Sequence, residues 1–116
     1  MPEAYELLAT VQSGKNVQPG QKHRSSGDFS MTVPSGTKEL YFFVASATDP
    51  NDEDKQHEIH FDVERDKSGG KDKTVYKDVH DGYTTTNLQS DRKFYISNPS
   101  GATKDFQVLI YAVKDV

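Results

Sequence analysis

Apolar and polar residues alternate along most of this chain, and clusters of Gly, Pro, Ser, Asn and Asp break the alternation at short intervals. That period of two is the mark of half-buried strands, and the clusters are turn chemistry. Residues 28–33 show it cleanly, with Phe29, Met31 and Val33 on one face and Ser30 and Thr32 on the other. Residues 57–65 repeat it: Ile59, Phe61 and Val63 point inward, while Glu58, His60, Asp62 and Glu64 line the solvent side. Residues 74–79 form a weaker strand in which Lys77 separates Val75 from Val79, as suits a guarded sheet edge. Residues 93–97 place Phe94 and Ile96 inward, and Asn98-Pro99-Ser100-Gly101 then reads as a turn.

Two segments are apolar on both faces. Residues 39–47 hold Leu40, Tyr41, Phe42, Phe43, Val44 and Ala45, and read as a central strand covered on each side. Residues 105–113 put Phe106, Val108, Ile110 and Ala112 on one face and Leu109, Tyr111 and Val113 on the other, so this strand also reads as doubly covered. Residues 5–12 suit either a strand, with Tyr5, Leu7, Ala9 and Val11 on one face, or a short helix, because Glu-Leu-Leu-Ala is a good helix former. Residues 13–28 read as a long exposed connection, turning at Pro19-Gly20. Together these elements predict one all-β domain over residues 1–116, an antiparallel two-sheet sandwich of seven to eight strands.

Composition agrees. Of the 116 residues 33% are hydrophobic and 28% charged, which suits sheets with one wet face each. A net charge of −4, without a basic stripe, argues against nucleic acid as a partner. No cysteine is present, so disulfides and thiolate metal sites are excluded. No basic, then apolar, leader opens the sequence, and no apolar run approaches the ~20 residues of a membrane span. The expected location is extracellular if this is an excised accessory domain, and cytoplasmic if it is a whole protein.

Phe29-Ser-Met-Thr-Val-Pro-Ser-Gly-Thr-Lys-Glu-Leu, followed by Tyr41 to Pro50, resembles the opening of a pre-peptidase C-terminal-type sandwich, related to those that follow the catalytic domain of some subtilisin-like proteases. Phe94-Tyr-Ile-Ser-Asn-Pro-Ser-Gly and Phe106 to Val113 resemble that family's closing hairpin. His57-Glu-Ile-His-Phe-Asp-Val-Glu departs from its usual acidic aliphatic strand. The resemblance implies a jelly-roll-like sandwich with a targeting or substrate-binding role.

Candidate chemistry is sparse. Asp49, Asn51, Asp52 and Asp54, with Glu53, form an acidic loop that offers oxygen ligands for calcium, although it lacks the EF-hand spacing and reads more readily as a solvated turn. Glu58, His60 and Asp62 share a strand face, but a transition-metal site there needs His57 or His80 to join it. Lys15, Lys22, His23 and Arg24 make a basic patch with no interleaved aromatics, a matter of solubility more than recognition. No nucleophile elbow and no phosphate loop occurs, so no enzyme activity is expected. Tyr76, Tyr83 and Tyr95 fall on outward or loop positions, where aromatic faces bind sugars and peptides.

The functional expectation is therefore a non-catalytic binding module for carbohydrate or an extended protein chain, with calcium as a candidate cofactor. The alternative is a structural protein that forms homo-oligomers through a sheet face, and a third reading is a small hydrolase built around His60 or His80.

Overall fold

The computed structural model describes residues 2–13, 24–46, 59–67, 69–100 and 106–116. These residues form eight strands and no helix: β1 (Glu3–Ser13), β2 (Phe29–Ser30), β3 (Glu39–Ser46), β4 (His60–Arg65), β5 (Lys73–Val79), β6 (Thr84–Thr85), β7 (Lys93–Ser100) and β8 (Phe106–Asp115). The pairs are nested and antiparallel: β4 with β5, β3 with β6, β2 with β7, and β1 with β8. Rolling this ribbon up joins β8 to β3 and β7 to β4. Two four-stranded sheets result, in the orders β1-β8-β3-β6 and β2-β7-β4-β5. That is a double-sheet jelly roll, and the expected antiparallel sandwich is observed.

The core lies between the sheets. Leu40, Phe42 and Val44 of β3 and Val108 and Ile110 of β8 face Phe61 and Val63 of β4 and Phe94 and Ile96 of β7, all buried. Aromatic pairs bridge the layers, Phe61 with Phe106 at 5.8 Å and Phe42 with Tyr76 at 5.4 Å between ring centroids. Contacts of this kind are each worth about 0.5–1.5 kcal/mol beyond the area they bury.

Four register shifts, one of them in β5 between the Val63–Tyr76 and Glu64–Thr74 pairs, correct the sequence reading, because one inserted residue turns every later side chain to the opposite face. In β1, Leu7 pairs with Tyr111 and Ala9 with Ile110, so Leu8 is the extra residue. Residues 5–12 are thus strand, but Tyr5 and Leu7 are exposed while Val11 is buried, and the four do not share a face. In β5, Val63 pairs with Tyr76 and Phe61 with Val79, three steps against two. Tyr76 and Val79 therefore both point inward, and Asp78 takes φ 58°. In β7, Ser97 pairs with Asp62 and Ser100 with His60, and Asn98 takes φ 52°. The strand thus runs on through the Asn-Pro-Ser segment expected to turn.

Other expectations also changed. β5 is a sheet edge, as predicted, but β6 within the polar 84–87 stretch was not anticipated. Residues 24–26 are not an exposed connection, since they cover the edge of β7. The Ser25 N–H donates to the Ile96 carbonyl at 2.9 Å, and the Ile96 N–H to Ser26 Oγ at 2.8 Å. Ser13 Oγ and Ser25 Oγ lie 2.8 Å apart, a buried contact tying β1 to this segment.

Candidate functional site

Two of the three tyrosines expected to present ring faces lie buried. Tyr76 and Tyr95 are each only 2% exposed, so the expectation of outward rings fails for both. The β5 bulge turns Tyr76 into the core, where its hydroxyl donates to the Asn87 carbonyl at 2.7 Å and accepts the Gln89 N–H at 3.2 Å. Burial pushes its phenol up to about 12. Tyr95 does lie on the outer side of its sheet, but the Arg24 guanidinium covers it at 3.7 Å from the ring centroid. Its hydroxyl donates to Asp72 Oδ2, and burial together with that bond pushes the phenol up. Tyr83 is half-buried against Phe42, with centroids 5.6 Å apart. Tyr76 and Tyr95 therefore offer no free ring face of the kind sugar stacking needs.

The remaining candidates are held by local structure. Arg24 pairs with Asp28 at 2.5 Å and Asp66 at 3.5 Å, so it does not belong to an open basic patch; Lys15, Lys22 and His23 lie outside the described residues. Glu64 is buried and not solvent-facing, with Oε1 accepting Thr74 Oγ1 at 2.9 Å. His60 Nδ1 lies 3.0 Å from Asp78 Oδ1, and its ring is 5.7 Å from that of His80. Asp62 accepts the Asp78 N–H at 2.9 Å and Asn98 Nδ2 at 3.2 Å. Among the described residues no three His, Asp or Glu side chains are grouped to hold a metal. Asp49, Asn51, Asp52 and Asp54, like His57 and Glu58, lie outside the described residues.

The outer face of the β1-β8-β3-β6 sheet carries a feature that the sequence reading missed. Register places its side chains in rows: Tyr5, Val113 and Glu39; then Leu7, Tyr111, Tyr41 and Thr84; then Thr10, Leu109 and Phe43; then Gln12, Gln107 and Ala45. The strands β3 and β8 are therefore not covered on both sides. Tyr5 is 54%, Leu7 50% and Phe43 39% exposed, with Tyr41, Leu109 and Tyr111 half-buried. Tyr5 stands nearly perpendicular to Tyr41 and Tyr111, at centroid distances of 5.9 and 6.4 Å. Tyr5, Tyr41, Phe43 and Tyr111 line an open depression of about 380 Å³.

A second depression, about 490 Å³, is lined chiefly by charges, including Asp66, Asp91, Arg92 and Lys93. Its carboxylates already serve turns and ion pairs, with Thr32 Oγ1 donating to Asp91 at 3.0 Å and Arg24 reaching Asp66. On the outer side of the opposite sheet, Arg24, Asp72 and the buried Glu64 surround the Tyr95 ring. The signal for the aromatic face lies in the two doubly apolar strands, whose open face stays hidden because alternation cannot tell a covered face from an open one. Comparison of the chain with protein-family models, curated proteins and solved structures finds no match.

Proposed function

We propose that this chain is a non-catalytic binding module that takes a carbohydrate on the outer face of the β1-β8-β3-β6 sheet. The observation that carries this reading is the open depression lined by Tyr5, Tyr41, Phe43 and Tyr111. Contiguous exposed apolar surface of this kind marks interaction sites. Ring faces bury the apolar side of a sugar while phenol hydroxyls bond its polar edge. The flanking rows add Thr10, Thr84, Gln12 and Gln107, which supply hydroxyl and amide partners for sugar hydroxyls.

A carbohydrate suits this face better than an extended peptide does. Added peptide strands gain affinity from main-chain bonds at a sheet edge, whereas the backbone of β8 and β3 is engaged by strands on both sides. Jelly rolls include lectin domains, an analogy of fold alone. The accessory role implied by the resemblance to pre-peptidase C-terminal-type domains is compatible with this reading.

Titration calorimetry against a panel of polysaccharides tests it, with Tyr111→Ala as the control that removes the centre of the platform. Binding that vanishes in the variant is expected, and silence of the wild type across the panel overturns the proposal.

The exposure of Leu7, with Leu109 beside it, favours one second reading, self-association through the same face. Sedimentation at micromolar concentration separates the two, since a strict monomer removes it. Calcium binding at Asp49, Asn51, Asp52 and Asp54 is a further proposal. Thermal melts that coincide in calcium and in chelator end it.

A further inference from the structure

Taking the outer face as a carbohydrate site, we infer that its preferred ligand is a cationic polysaccharide of protonated amino sugars, with one ammonium seated at the Tyr5, Tyr41 and Tyr111 cluster beside Glu39. The inference deepens the proposed function and depends on it.

Two features of the site converge. Aromatic rings attract cations through the negative charge of their π-faces, and clusters of several rings are the recurrent solution for organic ammonium groups. Because Tyr5 stands nearly perpendicular to Tyr41 and Tyr111, ring faces point in two directions around one depression. The rim at the Tyr5 end is also negative. Glu3, Glu39 and Asp115 gather there, and the ammonium of Lys38 bridges Glu3 and Asp115. Three carboxylates against one ammonium leave the rim with excess negative charge.

Glu39 is the residue left over. It shares the row of Val113 and Tyr5, is half-buried, and its carboxylate has no hydrogen bond or ion pair among the described residues. Its charge, after that of Glu3, helps hold the Tyr5 phenol above its usual range. A half-buried, unpaired carboxylate gains from a cation that neutralises it, and a neutral sugar leaves it uncompensated. The phenol that already donates to Glu3 Oε1 at 3.3 Å keeps the Tyr5 ring oriented at the depression.

The test compares glucosamine and N-acetylglucosamine hexamers by calorimetry on the full chain, at a pH where the free amine is protonated. A lysine hexapeptide is the third arm. The amino-sugar hexamer is expected to bind about tenfold tighter than its acetylated counterpart. Glu39→Gln should narrow that gap with the circular dichroism unchanged. Equal affinity for the two sugars overturns the inference and leaves the carbohydrate reading standing. Lysine hexapeptide binding as tightly as the amino sugar also overturns it, since charge alone would then suffice. Silence of both sugar hexamers together with every neutral glycan removes the inference and the carbohydrate reading alike.

Discussion

The Asp62 carboxylate accepts the backbone N–H of Asp78 at 2.9 Å and so braces a residue held at φ 58°. Its other oxygen accepts Nδ2 of Asn98 at 3.2 Å, and Asn98 is itself the bulge residue of β7 at φ 52°. One side chain of β4 thus serves the bulges of both neighbouring strands. Left-handed conformations are uncommon for residues with a Cβ and persist where surroundings over-determine them.

Asp62→Ala should cost about 1–2 kcal/mol, the range for charge-assisted hydrogen bonds at a partly exposed site. Urea denaturation reads this as a lower midpoint at an unchanged slope. A change within 0.3 kcal/mol would show that the bulges stand without the brace.

Tyr76→Phe removes the hydroxyl that joins the Asn87 carbonyl and the Gln89 N–H to the core. The expected loss is about 1–2 kcal/mol, because the buried Tyr76 contributes two part-buried hydrogen bonds at once. Wild-type stability against the same variant measures it directly.

Alkaline stability follows from the same residue. Burial raises the Tyr76 phenol from 10.0 to about 12. Below pH 10 the phenol is neutral in both the folded and the unfolded chain, so the full stability is present. Between pH 10 and about 12 the unfolded chain releases a proton that the folded chain retains, and stability falls as pH rises. Melting temperature should therefore drop across that window, less steeply in Tyr76→Phe. The buried Tyr95, shifted in the same direction, accounts for a remaining slope.

Arg24 covers the Tyr95 ring and pairs with Asp28 and Asp66. Arg24→Ala should cost about 1–2 kcal/mol through lost stacking and ion pairing, and Arg24→Lys should recover only part, since an ammonium lacks the planar guanidinium face. Full recovery by lysine in thermal melts would reduce the contact to simple charge.

Tyr5→Ala separates binding from stability. The ring is 54% exposed, so unfolding free energy should shift by no more than about 0.5 kcal/mol. Polysaccharide affinity should fall about tenfold with loss of one wall of the depression. A large stability loss with unchanged affinity would move the site away from this face.

Much of the fold was legible in the chain. Phe29, Met31 and Val33, like Ile59, Phe61 and Val63, face the core as their alternation requires, and Lys77 marks the sheet edge. The candidate site was not. Alternation puts Tyr76 outward because it sits out of phase with Val75 and Val79, and puts Tyr5 on the face of Val11 because the two are in phase. Each error is one bulge residue, Asp78 or Leu8, and neither carries the glycine signal that would announce a bulge.

Alternation along short apolar segments, cut by turn residues, was enough by itself to determine two antiparallel layers around one core. Burying one side of each strand requires that pattern whatever the order of the strands. Tertiary structure alone decided how the ribbon rolls up, where registers slip by a residue, and which apolar face of β3 and β8 meets the other sheet. Those outcomes depend on pairing between segments distant in the chain. A local pattern records that a face is apolar, and only the packed neighbours determine whether anything covers it.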